Sequence, residues 1–491
     1  MNTGREQKWC VRAAIALACM AATASLPARD AAAVAPAVAC ESLAGRSYYN
    51  IAILSAVHVP ASGAVPAFCK VNGTENGTQH DLEVRLPDSW LQRYVQRGGG
   101  GFDGSIPPVA MSAAALRAGA VQGANNGGHR DPGGAALLDN PRAVERYAHG
   151  AILTATRFGK AVTQAYYGRA PQYAYYEGCS NGGRGALNAA AKYGPEFDGI
   201  IAAAPTFNLT GQISRWTSAA ALPLPSAPQF KQLHAAAVAK CDARDGLEDG
   251  IVSDWAGCDF DPVRDAPKSI GLTPEQAAAT RNIMQDLKRR DGSVIYSGFG
   301  TGDLSLGAPA FGMFGTGQMR NIVLNDAQWT PKDFDPEAAL PVISAIIDDK
   351  YQFSATLSGL VQFLKSGGKA IVWHGADDAL LSHNDTIRTW RQVTDAVGPQ
   401  TAAAATRFYI APGVNHCAGG DGADSFDALG ALMEWVENGR APGTLTAVKR
   451  DAKSGDVKFS RPLCQYPGWP RYRGKGDPAV AESFECVAPG R

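Results

Sequence analysis

The stretch YAYYEGCSNGGRGAL, residues 173–187, determines how the centre of this chain folds. Its aromatic start is typical of a strand, and its small-residue end is typical of a helix. Between them, Gly178, Ser180 and Gly182 fit the pattern G-x-S-x-G. Glycine is required on both sides of the serine because larger side chains would collide in a sharp, strained turn. The stretch therefore predicts a strand, a tight turn that exposes Ser180, and a helix.

The segments after this turn continue the alternation of strands and helices. An apolar run at 199–204 predicts a buried strand, further strands are predicted at 370–373 and 407–410, and a last helix is predicted near 426–438. A serine turn in such a setting is the nucleophile elbow of α/β-hydrolase folds. We therefore predict an α/β fold class, with an α/β-hydrolase core and an inserted lid domain.

The alternation is interrupted by Pro-rich loops, an acidic loop and a Gly-rich stretch. We assign residues 207–341, which contain them, to the lid domain. The catalytic domain is then predicted to comprise residues 34–206 and 342–491.

A serine nucleophile needs a base, and in this fold the base is a histidine that comes last in the chain order serine, acid, histidine. His416 lies in a loop between the strand predicted at 407–410 and the last helix, where that base belongs. His374 ends a buried strand and is predicted as a candidate substrate-pocket residue. His383 is predicted to lie in a surface loop.

Two adjacent carboxylates compete for the acidic position of the triad. Asp378 fits the spacing H-G-x-x-D that begins at His374, and it is preferred. Asp377 stays open as the alternative, or as a cap of the loop. The predicted catalytic triad is therefore Ser180, Asp378 and His416.

Backbone N–H groups are expected to stabilise the oxyanion that forms during acyl transfer. Asn181 follows the nucleophile at the start of a helix and supplies one of them. The second is predicted from Gly100 or Gly101, in the Gly-rich loop that follows an early strand. A flexible glycine hinge is the alternative for that loop.

The N-terminus reads as an export signal. Arg5, Lys8 and Arg12 precede or open a short apolar run at 13–26, and small residues follow it. Residues 1–33 are therefore predicted to be a signal peptide, and the mature protein is expected to be secreted or periplasmic.

The charge balance excludes some classes of partner. Lys and Arg together number 46, and so do Asp and Glu. Without a basic field or an acidic one, neither nucleic acid nor a membrane surface is an expected partner. The expected partner is a small-molecule ester, and the sequence leaves the oligomeric state open.

An even number of cysteines in an exported chain favours disulfides. Cys179 directly precedes the predicted nucleophile and Cys417 directly follows the predicted base, so a bond between them is expected if Ser180 and His416 meet. Chain order predicts that the other cysteines form three local pairs. The predicted pairs are Cys40–Cys69, Cys179–Cys417, Cys241–Cys258 and Cys464–Cys486.

Several of these motifs together resemble the tannase and feruloyl esterase family, which also includes mono(hydroxyethyl) terephthalate hydrolase. They are the Gly-rich loop, G-C-S-x-G-G-R at 178–184, H-G-x-x-D at 374–378 and N-H-C at 415–417. The resemblance covers nearly the whole mature chain. It implies a lid over the site and ester substrates built on aromatic acids, although this lid looks shorter than that of the terephthalate enzyme.

An acidic loop at 242–251, between Cys241 and Cys258, contains three closely spaced aspartates and two glycines. Such a loop suits calcium, although it is not an EF-hand, and a solvated acidic turn is the alternative. The family resemblance implies a structural Ca²⁺ here, completed by two backbone carbonyls. The implied ligands are Asp242, Asp245, Leu247, Asp249 and Ile251.

Three functions are therefore weighed. The first is a serine esterase that acts on feruloyl, other hydroxycinnamoyl or galloyl esters through an acyl-enzyme. The second is a mono(hydroxyethyl) terephthalate-type enzyme or another serine hydrolase, such as a peptidase or polyester hydrolase. The third is a non-catalytic binding protein on a hydrolase scaffold, against which the intact triad argues.

Overall fold

The computed structural model describes residues 32–488, so the predicted signal peptide lies outside the described residues except for its last two. The centre of the fold is a ten-stranded sheet in the order β1-β2-β3-β4-β6-β5-β7-β8-β11-β12. The strands of the chain are β1 (Ser47–Tyr48), β2 (Ile51–Val59), β3 (Phe68–Glu75), β4 (Asp81–Pro87), β5 (Arg93–Arg97), β6 (Ala120–Asn125), β7 (Tyr173–Cys179), β8 (Gly199–Ala203), β9 (Leu287–Lys288), β10 (Val294–Tyr296), β11 (Lys369–Gly375), β12 (Thr406–Ala411), β13 (Leu445–Arg450), β14 (Val457–Leu463), β15 (Trp469–Tyr472) and β16 (Phe484–Val487).

The sheet is antiparallel at its start and parallel where the predicted catalytic residues lie. Strands β1 to β4 pair antiparallel, and β6 pairs antiparallel with β4. From β6 through β5, β7, β8 and β11 to β12, every pairing is parallel. The carboxyl ends of these parallel strands meet at one edge, which is where α/β folds place their sites.

Helices cover both faces of the sheet, as the α/β class requires. They are α1 (Ala113–Arg117), α2 (Pro141–Glu145), α3 (Ala151–Tyr167), α4 (Asn181–Tyr193), α5 (Leu209–Ala220), α6 (Ala227–Cys241), α7 (Pro274–Met284), α8 (Gly307–Ala310), α9 (Pro336–Ser344), α10 (Leu357–Lys365), α11 (His383–Val397), α12 (Pro399–Ala405) and α13 (Ala428–Asn438). Alternate residues of the strands face opposite layers: Tyr176 packs with Phe158 of α3, whereas Tyr175 packs in the same cluster as Leu432 of α13.

The inserted region between β8 and β11 contains α5 to α9 and the small β9–β10 ribbon. The predicted lid boundary at residue 341 falls inside α9. Ile343 and Phe353 pack in one apolar cluster with Leu209 and Ile213 of α5. The same cluster contains Phe102 and Tyr147, which precede the insertion, so it joins the insertion to the rest of the chain.

The structure contains the four predicted disulfides. Three close local loops, and Cys179–Cys417 spans 238 residues with its Cα atoms 5.9 Å apart. Within residues 32–488, no helix is both long and apolar enough to cross a membrane.

Candidate active site

Ser180 occupies the turn between β7 and α4, with φ 62° and ψ −123°. This is the strained backbone expected of a nucleophile elbow. A Cβ on Gly178 would lie 2.5 Å from the backbone of Gly182, and a Cβ on Gly182 would lie 2.6 Å from the carbonyl oxygen of Gly99. Glycine at both positions is therefore a requirement of close backbone approach.

The Gly-rich loop after β5 lies directly against this elbow. The N–H of Gly98 donates to the carbonyl of Glu177 at 2.9 Å. The N–H groups of Gly100 and Gly101 donate to no acceptor among the described residues. Gly101 has φ +57°, and it lies beside Ser180 and Asn181 along one cavity. The free N–H groups are thus near the nucleophile, as an oxyanion hole requires.

A buried polar network fastens this loop to the start of α4. The side-chain amide of Asn181 donates to Asp103 at 2.9 Å and accepts from Arg184 at 2.8 Å. Burial raises the pKa of Asp103 to about 6, and its contact with Asn181 and the charge of Arg184 oppose the rise. The motif analysis did not identify Asp103, because its significance depends on contact with α4.

His416 and Asp378 meet beyond the ends of β12 and β11. Nδ1 of His416 lies 2.7 Å from Oδ2 of Asp378, whose side chain is wholly buried. The other oxygen, Oδ1, accepts from the N–H groups of Leu380 and Leu381 at 2.8 and 2.9 Å. Burial alone would raise the pKa of Asp378, but His416 and His374 hold it well below its usual range. The carboxylate is therefore ionised and oriented toward the imidazole.

Asp377, the alternative acid, has a different partner. Its carboxylate lies 3.8 Å from Nε2 of His234, on α6 of the insertion. Burial raises the pKa of Asp377 to about 6, with the charge of Asp421 adding to the rise and that of His234 opposing it. Of the two adjacent aspartates, only Asp378 contacts His416.

Two histidines lie where the sequence analysis did not place them. His374 does not line the substrate cavity: it is wholly buried, and its Nε2 lies 3.0 Å from Oδ2 of Asp378. His374 is the last residue but one of β11, and its side chain lies under the loop that carries Asp378. His383 is not in a surface loop either, since it begins α11, is 2% exposed and packs against the ring of Trp255.

The Cys179–Cys417 disulfide holds the nucleophile loop and the histidine loop together. In the histidine loop, Cys417 itself has φ +66°. In the nucleophile loop, Ser180, next to Cys179, also has a positive φ. The Ser180 hydroxyl makes no hydrogen bond with His416, but the two side chains line the same cavities. Such contacts commonly tighten only when substrate binds.

Ser180 and His416 lie at the junction of two cavities. The larger has a volume of about 730 Å³, and its walls include Pro108, Met111 and Phe426. The smaller is a cleft under the insertion that is lined by Trp216 and has a volume of about 30 Å³. Gly101, Phe314 and Leu380 border both. The site therefore offers separate spaces on two sides of the nucleophile.

The acidic loop is part of the insertion and lies far along the chain from the triad. Asp242 accepts from Gly250 N–H through Oδ2, while its Oδ1 is buried without a partner. Burial raises the pKa of Asp242, and it raises that of Asp245 to about 6; the negative charge of Asp249 adds to both. The carboxylate of Asp249 thus repels those of Asp242 and Asp245, and Oδ1 of Asp242 has no partner among the described residues.

Two backbone carbonyls of this loop are without a hydrogen-bond donor in the described part of the chain. Among residues 32–488, no N–H donates to the carbonyls of Leu247 or Ile251. Within the same range, no three His, Cys, Asp or Glu side chains are arranged to hold a metal ion by themselves. Oxygen ligands from side chains and carbonyls are what calcium requires, so the loop's donor chemistry fits this ion.

Comparison with known proteins gives one consistent result. The family model "Tannase and feruloyl esterase" matches residues 69–487. A probable feruloyl esterase of Arthroderma benhamiae is 33% identical over 460 residues, covering 85% of each chain. A probable feruloyl esterase B-2 of Aspergillus terreus is 30% identical over 452 residues, covering 84% of each chain.

Solved structures give the same grouping. Feruloyl esterase B from Aspergillus oryzae has a TM-score of 0.80 at 26% identity, covering 91% of this chain and 99% of that one. An esterase from the same organism has a TM-score of 0.81 at 24% identity, covering 91% of this chain and all of the other. The latter supports the shared fold alone.

Proposed function

This chain belongs to the tannase and feruloyl esterase family and is a carboxylic ester hydrolase, and from that premise we propose that it is a secreted serine enzyme that cleaves esters of aromatic acids through an acyl-enzyme. The observation that carries the proposal is the junction of the two cavities. There, Ser180 on the elbow faces His416, which is held by the buried carboxylate of Asp378 at 2.7 Å.

In the first half of the reaction, the Ser180 hydroxyl attacks the ester carbonyl and His416 Nε2 accepts its proton. The carbonyl oxygen becomes an oxyanion, which accepts hydrogen bonds from Asn181 N–H and from Gly100 or Gly101 N–H. As the tetrahedral intermediate collapses, His416 returns the proton to the leaving alcohol. Asp378 keeps Nδ1 protonated and stabilises the imidazolium throughout.

In the second half, water replaces the alcohol. His416 takes a proton from the water, which attacks the acyl-serine carbonyl. The same N–H groups bind the second oxyanion, and its collapse releases the acid while the proton returns to Ser180. Each step uses the same two backbone donors and one histidine.

The walls of the cavities support an aromatic acyl group. Trp216 and Phe314 have ring centroids 5.4 Å apart, and Phe314 lies 5.5 Å from Phe102. Phe314 also lies against Gly101, since a Cβ placed there would be 3.6 Å from its ring. Flat apolar walls beside the oxyanion loop favour a planar acid over a flexible one.

Calcium, when bound, would supply a structural cation. Asp242, Asp245 and Asp249 would hold it with the carbonyls of Leu247 and Ile251. Its charge would relieve the repulsion among three carboxylates. Arg461 of β14 lies 2.5 Å from Oδ2 of Asp249 and orients that carboxylate. The loop therefore has a role in stability rather than in the reaction.

Secretion is supported by the disulfides and the N-terminal signal. Four disulfides within a chain of this kind are stable only in an oxidising compartment. Mass spectrometry of the mature N-terminus tests this part, because retention of residues 1–33 on exported protein would contradict it.

One experiment tests the reaction itself. The purified enzyme is assayed on methyl ferulate, methyl gallate and mono(hydroxyethyl) terephthalate, and phenylmethylsulfonyl fluoride is used to label the nucleophile. We expect turnover of a hydroxycinnamoyl or galloyl ester, label on Ser180, and a loss of about 10⁴-fold or more in Ser180→Ala. Absence of label and turnover would favour a non-catalytic binding protein, and turnover of the terephthalate alone would move the substrate class.

A further inference from the structure

The acid loop, residues 376–382, connects β11 to α11 and carries Asp378. The N–H groups of Leu380 and Leu381 donate to Oδ1 of Asp378 at 2.8 and 2.9 Å. In a trans peptide, a carbonyl oxygen and the N–H of the next residue point in opposite directions within one rigid plane. Any group that holds the carbonyls of Ala379 and Leu380 therefore also holds the two N–H groups that orient the carboxylate.

The insertion holds the carbonyl of Leu380. Nε1 of Trp216, on α5, donates to this oxygen at 2.8 Å. The same peptide plane ends in the N–H of Leu381, so one planar group links the indole to Oδ1 of Asp378. Trp216 is 5% exposed and packs in an apolar cluster of the insertion with Phe230. Neighbouring side chains therefore fix the indole, and the indole fixes the peptide.

The preceding peptide, Ala379–Leu380, meets a glycine of the insertion. A Cβ placed on Gly307, the first residue of α8, would lie 2.0 Å from the carbonyl oxygen of Ala379. Gly302 is similarly close to the loop, because its Cβ would lie 2.6 Å from Cα of Asp377. No side chain larger than hydrogen fits at either glycine, so the backbone of the insertion packs directly on that of the acid loop.

A third peptide, Leu381–Ser382, is held at both of its ends. Its carbonyl faces Nε2 of His374 at 3.2 Å, and its N–H donates to the hydroxyl of Tyr296 at 3.0 Å. Tyr296 belongs to β10 of the insertion and is 2% exposed. The Ser382 hydroxyl donates to the carbonyl of Gly298, just after β10. One end of this peptide is therefore held by the core and the other by the insertion.

We propose that the insertion positions the triad acid, and that Trp216, Tyr296 and Gly307 are positioning residues that act on Asp378 through three consecutive peptide groups. The proposal rests on the proposed serine mechanism, in which Asp378 orients His416. Because Oδ2 of Asp378 lies 2.7 Å from Nδ1 of the imidazole, a rotation of the carboxylate displaces the base. The insertion consequently cannot move away from the core at this contact without releasing the acid.

A positioning role and a specificity role change different kinetic constants. Displacing the carboxylate slows the chemical step for every ester, so kcat falls while KM changes little. Loss of a substrate contact instead raises KM or changes the ranking of esters. 4-Nitrophenyl acetate separates the two roles, because its acyl group is too small to depend on the aromatic walls of the site.

The test measures kcat and KM on 4-nitrophenyl acetate and kcat on methyl ferulate, normalised to active sites titrated with phenylmethylsulfonyl fluoride. We expect Trp216→Phe and Tyr296→Phe each to lower kcat by about tenfold on both esters, because each removes one hydrogen bond from a peptide that holds Asp378. Gly307→Ala should lower kcat by about 100-fold, since the loop must shift by roughly 1 Å to admit a methyl group. KM for the acetate should stay within about twofold in all three variants.

Matched controls remove or add the same groups away from the acid loop. Trp90→Phe removes an indole N–H that donates to the carbonyl of Arg93 at 2.8 Å. Tyr167→Phe removes a hydroxyl that donates to the carbonyl of Pro87 at 2.6 Å. Gly312→Ala adds a methyl group to the insertion at a position with no other described atom within 4 Å. All three controls should keep kcat within about twofold of wild type.

Proton NMR reports on the triad acid directly. The proton on Nδ1 of His416, which donates to Asp378 across 2.7 Å, is expected to give a resonance far downfield. This resonance should shift upfield or disappear in Trp216→Phe and Tyr296→Phe, and it should be unchanged in the controls. A variant that is only less stable keeps the wild-type resonance in its folded fraction.

The outcomes distinguish the positioning role from the mechanism on which it rests. Unchanged kcat and an unchanged resonance in Trp216→Phe and Tyr296→Phe, beside a large loss of kcat in Asp378→Asn, would overturn the positioning role alone. Wild-type kcat in Asp378→Asn would overturn the proposed mechanism. If Gly307→Ala does not fold, the two aromatic variants decide, because neither adds an atom to the packed interior.

Discussion

Nε2 of His374 lies 3.0 Å from Oδ2 of Asp378, the oxygen that also contacts the imidazole of His416. The same nitrogen lies 3.2 Å from the carbonyl of Leu381, so it faces two acceptors and must carry a proton. Nδ1 lies 3.0 Å from the hydroxyl of Thr386. His374 is thus a fully buried donor that fixes the position of the triad acid.

This relationship predicts the effect of replacing His374. His374→Leu removes a donor from a buried carboxylate, and we expect kcat to fall by about 10- to 100-fold with KM nearly unchanged. His374→Gln retains an N–H donor and should recover part of kcat. Steady-state kinetics and circular dichroism check this, and a rise in KM without a change in kcat would assign His374 to the substrate pocket after all.

The same substitution, aspartate to asparagine, is expected to have a large effect on kcat at Asp378 and a small one at Asp377. Asp378→Asn should reduce kcat by about 10³- to 10⁴-fold, because the imidazole loses the carboxylate that orients it. Asp377→Asn is the matched control and should reduce kcat by less than about tenfold, since Asp377 contacts His234. The reverse order of the two variants would transfer the acid to Asp377.

The disulfide between the catalytic loops should affect rate beyond its effect on stability. Removing Cys179–Cys417 by a double alanine substitution costs about 5 kcal/mol of unfolding free energy in the loop-entropy model, against about 3 kcal/mol for Cys464–Cys486. At a temperature where both variants are folded, we expect kcat to fall strongly only in the first. Loss of kcat in both, in proportion to folded protein, would limit the bond to stability.

Removal of calcium should lower stability more than chemistry. A ligand bound only by the folded chain stabilises by mass action, so a chelator should lower the melting temperature while kcat of the folded enzyme changes little. Asp242→Asn should reproduce this effect. Asp259→Asn, at an exposed carboxylate outside the loop's ligand set, is the control. Purified protein without calcium and without a thermal response to added calcium would contradict the site.

Because Asp103 is buried, we expect the free energy of unfolding of wild type and of Asp103→Asn to differ by an amount that depends on pH. Its pKa is about 6 in the folded chain against 3.8 for an exposed aspartate, because burial disfavours the charged form. The buried carboxyl group therefore costs nothing well below pH 4, where it is protonated in both states; its cost grows between about pH 4 and 6 and is constant above that. Relative to wild type, Asp103→Asn should gain about 1–3 kcal/mol of unfolding free energy between pH 4 and 7. Urea denaturation at several pH values measures it, and a gain on acidification would be the wrong sign.

Much of the fold and of the candidate site could be predicted from local sequence. The elbow at 178–182 requires glycine for steric reasons, and the strands at 199–203, 369–375 and 406–411 were predicted closely because they are apolar and short. The order serine, aspartate, histidine then identified three residues that follow β7, β11 and β12 at one edge of the sheet. Cys179 and Cys417 were paired by the same logic, since their neighbours had to meet.

Tertiary structure alone decided the features that depend on distant contacts. His374 was assigned to the pocket because it ends a strand, but whether its side chain faces the cavity or the acid loop depends on how residues 376–382 fold back over it. The predicted boundary at 341 falls inside α9, which packs against α5. Sequence determines which groups a turn can present, whereas a polar group's function depends on which partners the fold leaves within its reach.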